Sequence, residues 1–97
     1  MWFRPPYGAI NAKVWKVARS SKVRVALWSV DTRDWTRPGV KTIVRRGTRG
    51  VRKGAIILMH DGGVDRSQTI KALPQIIAKF KKRGYVFVTL QELYDAK

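Results

Sequence analysis

The sequence has no cysteine, a single histidine and only six acidic residues among its 97 positions. Without cysteine, neither a disulfide framework nor a thiolate metal site can form. The longest apolar run, residues 55–59, is far shorter than the roughly 18 residues of a membrane span, so no transmembrane segment is predicted. The first residues lack the basic and apolar stretches of a signal peptide, and none is predicted. These absences leave the compartment open.

Basic residues are in large excess. The 21 Lys and Arg residues outnumber the six Asp and Glu residues, which gives a formal net charge of +15. Nucleic acid, an anionic cell wall and an acidic membrane surface would each attract such a chain, and charge alone does not choose among them. A hydrophobic share of 44% with four Trp is typical of a folded chain, and 97 residues suffice for one small domain.

Strand and helix patterns alternate along the chain. Three apolar runs predict buried strands, and Trp2 with Phe3 predicts the stub of one more. The three runs are residues 23–30, 55–59 and 85–90. Because helix patterns lie between them, the strands are expected to pair in parallel, as in α/β sheets and barrels.

Helices are predicted where apolar residues recur at spacings of three and four. Two cover residues 11–20 and a segment that begins at Val40. The third has an apolar stripe made of Ile70, Leu73, Ile76, Ile77 and Phe80. Pro74 is expected to kink this third helix or to limit its first turn, and Gly84 to stop it. A capping box over residues 89–92 predicts a last helical turn.

The loops after the predicted strands carry most of the acids and the only histidine. These loops are residues 4–8, 31–35 and 60–63. The acids in or next to them are Asp31, Asp34, Asp61 and Asp65, and the histidine is His60. Parallel α/β architectures place their sites in the loops that follow the carboxyl ends of strands. The sequence therefore predicts an active site on that face.

Three motifs resemble one enzyme family. The segments RPPYG (residues 4–8), DTRDW (31–35) and IILMH (56–60) resemble, in order and spacing, the last three motifs of the polysaccharide deacetylases, carbohydrate esterase family 4 (CE4). The resemblance covers nearly the whole chain. It implies an α/β fold, the C-terminal portion of a distorted (β/α) barrel, with residues 1–97 as the C-terminal part of the catalytic domain.

The resemblance also implies an activity and a cofactor. The family uses a divalent metal, usually zinc, to remove acetyl groups from N-acetylated sugars such as those of chitin or peptidoglycan. Its first two motifs supply the catalytic-base Asp, a metal-binding Asp and two metal-binding His, and they are absent from this sequence. The metal ligands are therefore expected in an N-terminal half that this chain lacks, and none is assigned to the chain itself. A catalytic zinc needs about three protein ligands, so the chain is expected to be inactive alone.

Three catalytic roles are carried over from the motifs. His60 is the expected general acid, since an imidazole can donate a proton near neutral pH, and its alternative is a hydrogen-bonded structural histidine. Asp34 is expected to hold and tune His60, because a nearby carboxylate favours the imidazolium form. Arg4 would orient the base Asp of the missing half through a charge-assisted hydrogen bond, and otherwise it is a surface arginine.

Four residues are expected to contact the substrate. Tyr7 would lend its backbone N–H to the oxyanion, with two rigid prolines fixing its approach. Trp35 would form one wall of the sugar groove, or pack at the barrel mouth. Leu58 would lie in the acetyl-methyl pocket beneath His60, on the same strand and face, or belong to the core. Asp31 would line the groove or, equally, cap its own loop.

Rival functions and partners follow from the charge and the missing half. The densest basic cluster is Arg45, Arg46, Arg49, Arg52 and Lys53. It is read as a solvated helix face, with retention on an anionic polymer as the functional alternative. A catalytically inactive module that binds a glycan or a polyanion is the second hypothesis, and a nucleic-acid binder the third. The partners expected are an acetylated polysaccharide and either the missing half or a second copy. The family implies an extracellular or cell-envelope location.

Overall fold

Short strands and longer helices alternate along the chain. A computed structural model describes residues 2–4, 8, 11–21 and 24–96. The strands are β1 (Trp2–Phe3), β2 (Arg24–Val25), β3 (Val30–Asp31) and β4 (Ile57–Leu58). The helices are α1 (Ala12–Ser20), α2 (Val40–Thr48), α3 (Ser67–Lys82) and α4 (Leu90–Asp95), and a 3-10 helix covers Asp34–Thr36. Over the described ranges, no helix is long and apolar enough to cross a membrane.

The strands pair in parallel, as predicted. β1 pairs with β2, and Trp2 lies opposite Arg24. β3 pairs with β4, and Asp31 lies opposite Leu58. One helix connects the strands of each pair, α1 in the first and α2 in the second. Each pair is thus a strand–helix–strand unit, and the predicted α/β class is confirmed.

Two strand predictions are wrong in detail. The run 23–30 is divided into β2 and β3, with Val23 outside the described residues, because each half pairs with a different strand. No strand forms in the run 85–90: its first five residues have no regular structure, and α4 begins at Leu90. Over the described ranges these five residues have no paired strand, and without inter-strand hydrogen bonds β-branched side chains do not make a strand.

The helix boundaries follow local signals. Asn11 caps α1, its Oδ1 accepting from the Val14 N–H at 2.9 Å, and Thr89 and Glu92 form the predicted capping box of α4. α3 ends before Gly84, whose φ of +85° suits the residue after a helix. α3 begins at Ser67, so Pro74 lies in its interior and does not limit the first turn.

The core lies between α2 and α3. Ile43 and Val44 of α2 pack against three buried residues of α3, namely Ala72, Ile76 and Phe80. The helices approach closely at Gly47, where an added Cβ would lie 2.8 Å from Ile76 Cδ1. A hydrogen bond also joins the amino-terminal ends of the two helices. The Gly39 N–H, just before α2, donates to Oε1 of Gln68 in the first turn of α3 at 2.7 Å.

We expect Gly47→Ala to lower the free energy of unfolding by about 1 kcal/mol, because overpacking outweighs the gain in helix propensity. In the Ile76→Val background, which lacks Cδ1, the same substitution is expected to raise it by about 1 kcal/mol. Urea unfolding of the four proteins in this double-mutant cycle measures both effects. Equal effects of Gly47→Ala in the two backgrounds would contradict the close approach.

Candidate active site

Two chemically active side chains meet where β3 and β4 end. Asp34 opens the 3-10 helix that follows β3, and His60 comes two residues after β4. Because the two strands are parallel neighbours, the loops after them emerge at the same edge. The structure places His60 Nδ1 2.7 Å from Asp34 Oδ1. The contact that the resemblance implied between these residues is therefore present.

The Asp34 carboxylate is buried and fully hydrogen-bonded. Its residue is 1% exposed, and Oδ1 faces the His60 ring. Oδ2 accepts from the His60 backbone N–H at 2.7 Å and from Thr69 Oγ1 at 2.8 Å. Burial by itself would raise the pKa of Asp34, but the hydrogen bonds from His60 and Thr69 and the attraction of His60 outweigh it, so the pKa lies below 3.8. Asp34 is thus an anion at neutral pH.

The two ring nitrogens of His60 differ in their surroundings, because Nδ1 contacts Asp34 and the side chain is partly exposed. Because an ionised carboxylate only accepts hydrogen bonds, the proton between the two side chains belongs to Nδ1. The side chain is 37% exposed, and Nε2 forms no hydrogen bond with the described residues. The arrangement can therefore stabilise an imidazolium and present its Nε2 proton to a group outside the pair.

The loop between β3 and α2 is shaped to turn Asp34 inward. Arg33 and Arg37 flank the 3-10 helix with φ of 51° and 52°, a conformation that costs a side-chain-bearing residue roughly 1 kcal/mol or more. Asp31 Oδ1 accepts from the Arg33 N–H at 2.9 Å, and the buried Thr32 donates to the Leu58 carbonyl at 2.8 Å. These contacts tie the loop to both strands and explain how the strain is held.

The candidate substrate residues are placed as follows. Asp31 makes the contact of its loop-capping alternative, and a groove role stays a prediction. Trp35 is 50% exposed in the 3-10 helix that Asp34 opens, with the Arg33 guanidinium 5.7 Å from its ring centre. Leu58 is half-buried and ends β4, so His60 lies in the following loop and the two residues do not share a strand as predicted. The strand stops because its partner β3 ends opposite Leu58.

The first motif is only partly described. Arg4 follows β1 and is exposed, and among the described residues it forms no hydrogen bond with Asp34 or His60. Tyr7 and both prolines before it lie outside the described residues. The roles of Arg4 and Tyr7 therefore stay predictions.

Thr69 is a site residue that sequence reasoning missed. The apolar stripe predicted for α3 is partly wrong, because Ile70 is 63% exposed and Leu73 45% exposed. The buried side of the helix is Thr69, Ala72, Ile76 and Phe80. A threonine in phase with three buried apolar residues was the available signal, since a polar group on such a face needs a hydrogen-bond partner.

The described residues do not form a metal site. Across them, no group of three His, Cys, Asp or Glu side chains lies close enough to hold an ion. A catalytic zinc commonly has three protein ligands, and Asp34 already has its oxygens occupied by His60 and Thr69.

The basic cluster is exposed, and one of its residues also supports the loop of the site. Arg46 Nη1 donates to the Thr32 carbonyl at 3.2 Å and so supports the loop that carries Asp34. Arg45, Arg49, Arg52 and Lys53 are exposed at and after the end of α2. Most of the cluster therefore has the solvated position that the sequence predicted.

Comparison with known proteins gives consistent similarities. A peptidoglycan-N-acetylglucosamine deacetylase of Bacillus cereus is 50% identical over 97 residues, covering 98% of this chain and 46% of the relative. A chitooligosaccharide deacetylase of Bradyrhizobium is 35% identical, covering 94% of this chain and 47% of the relative. A CE4 family pseudoenzyme from Bacillus anthracis superposes with a TM-score of 0.85 at 38% identity, covering 95% of this chain and 31% of the other. No protein-family model matches.

The matched segment is only part of each relative. The chain spans less than half the length of the two deacetylases and about a third of the pseudoenzyme. The fold of this segment is thus shared with the pseudoenzyme. An activity that depends on the rest of those proteins does not follow from this segment by itself.

Proposed function

Because the chain belongs, over nearly its whole length, to the CE4 polysaccharide deacetylases, we propose that it forms part of a hydrolase that removes acetyl groups from N-acetylated sugars. Peptidoglycan and chitin-type oligosaccharides are the proposed substrates, after the two curated deacetylases it resembles. Such substrates place the proposed activity in the cell envelope or outside the cell.

The observation that carries the proposal is the buried carboxylate on one side of a half-exposed imidazole. Hydrolysis of an acetamide passes through a tetrahedral intermediate, and the sugar amine leaves only once it is protonated. His60 donates that proton from Nε2, while Asp34 holds Nδ1 at 2.7 Å and stabilises the imidazolium before the transfer. Trp35, half-exposed beside the pair, offers a flat apolar wall for a pyranose ring.

The remaining catalytic parts are proposed to come from outside this chain. They are the base that activates water and the ligands of a divalent metal, zinc by resemblance to the family. Arg4 is proposed to orient that base and Tyr7 to supply an oxyanion N–H. Because the base and the metal ligands would come from outside, the chain is predicted to be inactive alone.

Association with another chain or segment is the accompanying proposal. Val86, Phe87 and Val88 are 81%, 52% and 49% exposed in a stretch that has the composition of a strand but pairs with no strand in the described part of the chain. Each described sheet has only two strands, so its outer edges present unpaired backbone groups. A complementary part of the barrel or a second copy would cover these surfaces.

An exchange of segments tests the proposed activity. We expect a chimera, in which this chain replaces the matching part of the Bacillus cereus deacetylase, to release acetate from N-acetylglucosamine oligomers or peptidoglycan, because the alignment is 50% identical. The isolated chain is the matched control and is expected to release none. A folded chimera without activity at any supplied divalent metal would contradict the proposal.

A second candidate is an inactive module that binds a glycan or a polyanion. It is favoured by the likeness to a CE4 pseudoenzyme and by the net charge of +15. Glycan binding by a folded but inactive chimera would support it, and binding that weakens steeply with salt would indicate a polyanion, nucleic acid included.

A further inference from the structure

We propose that Thr69 is a positioning residue of the His60–Asp34 pair, whose hydroxyl fixes the carboxylate so that Oδ1 faces the imidazole. This inference rests on the proposed function only for its catalytic consequence. The hydrogen-bond geometry itself belongs to the described residues and can be tested without any activity.

Thr69 reaches the carboxylate from a different element than either partner. Asp34 lies in the 3-10 helix, His60 in the loop after β4, and Thr69 in the first turn of α3. The threonine is 5% exposed, and its Oγ1 lies 2.8 Å from Asp34 Oδ2. The helix is held in place by its core contacts with α2, so the hydroxyl is a fixed point.

The two carboxylate oxygens have separate donors. Oδ2 accepts from the Thr69 hydroxyl and the His60 backbone N–H, whereas Oδ1 accepts from the His60 ring. A rotation of the carboxylate would break the two bonds to Oδ2 at once. The Thr69 hydroxyl is uncharged, so it supplies orientation and hydrogen bonding without adding a charge beside the carboxylate.

The hydrogen bond of Thr69 joins the first turn of α3 to a distant part of the chain. Helical threonines commonly donate to the carbonyl four residues earlier, as Thr48 does to Val44 at 2.7 Å. Thr69 donates instead to a carboxylate 35 residues away in sequence. An ionised carboxylate can only accept, so the hydroxyl is committed as a donor. Its β-branched side chain also has few rotamers in a helix, which keeps that donor aimed.

Three variants separate positioning from packing. Thr69→Val keeps the shape and removes the hydroxyl, Thr69→Ser restores a hydroxyl, and Thr48→Val removes the matched buried hydroxyl of α2. Because the chain has a single histidine, the ring nitrogen resonances of His60 in a labelled sample need no further assignment. Carbon NMR of labelled aspartate follows the Asp34 carboxyl through a pH titration.

We expect Thr69→Val to raise the pKa of Asp34, because the carboxylate loses a donor, and to mix the two neutral tautomers of His60. The unsubstituted protein, Thr69→Ser and Thr48→Val are expected to keep the Nδ1–H tautomer and the low Asp34 pKa. In the active chimera, Thr69→Val is expected to lower kcat about tenfold with KM unchanged, since a hydrogen bond to a charged group is worth about that factor.

An unchanged tautomer and an unchanged Asp34 titration in Thr69→Val would overturn the proposal, as would equal changes in Thr48→Val. If Thr69→Val does not fold, the unsubstituted protein decides: a Thr69 hydroxyl proton that exchanges with water as fast as an exposed one would overturn the assignment. An inactive chimera with the expected NMR changes would reject the proposed function and leave the positioning role standing.

Discussion

Replacing Asp34 by alanine is expected to lower the free energy of unfolding by about 3 kcal/mol, a large part of the stability of a small domain. The carboxylate is buried and accepts from the His60 ring, the His60 backbone N–H and the Thr69 hydroxyl. Removing it leaves the backbone N–H and the hydroxyl without an acceptor. Urea unfolding followed by tryptophan fluorescence measures the loss.

The matched control is Asp31→Ala. Asp31 is exposed and its carboxylate accepts one backbone N–H, from Arg33, so its removal is expected to lower the free energy of unfolding by less than about 1 kcal/mol. Asp34→Asn is expected to be nearly as destabilising as Asp34→Ala, because its amide nitrogen would face a donor. Equal losses for the alanine variants at positions 31 and 34 would show that the buried carboxylate carries no special weight.

The Asp34 carboxylate also predicts that the free energy of unfolding falls at acid pH. Its folded-state pKa is lowered, whereas in the unfolded chain an Asp titrates near about 3.9. The contribution of Asp34 is therefore fully present above the unfolded value and is lost as the pH falls through the folded one. The difference in unfolding free energy between the protein and Asp34→Ala is expected to shrink as the pH falls below about 4. A difference that grows as the pH is lowered from about 4 would contradict this sign.

Local signals in the sequence predicted the helices well. The capping box at Thr89 and the glycine at position 84 each act within a few residues, and the structure shows both where they were expected. Strands depended on partners far away in sequence. The run 85–90 has strand composition but finds no strand to pair with among the described residues, and the run 23–30 contributes to two different sheets.

The candidate site divides in the same way. Asp34 and His60 were found because motif order implied them, and parallel pairing of β3 with β4 explains why they meet. Thr69 was missed because its role depends on which side of α3 faces the loops, and the predicted stripe was partly out of phase with the buried one. Hydrophobicity alone does not distinguish the exposed Ile70 and Leu73 from the buried residues of the helix. It therefore cannot determine which side of α3 is buried.

Within the chimera, His60→Ala is expected to lower kcat for acetate release by about 10² to 10⁴, the usual range for a positioned general acid. KM is expected to change little, because His60 acts on the leaving amine and Trp35 provides the sugar contact. Gln75→Ala, on the exposed side of α3, is the control and is expected to leave both constants unchanged. The basicity of the leaving group decides how much acid assistance is needed, and an alkoxide is far less basic than the anion of an amine. Activity on an O-acetylated sugar should therefore fall less. An equal loss on both substrates would assign His60 a structural rather than a proton-donating role.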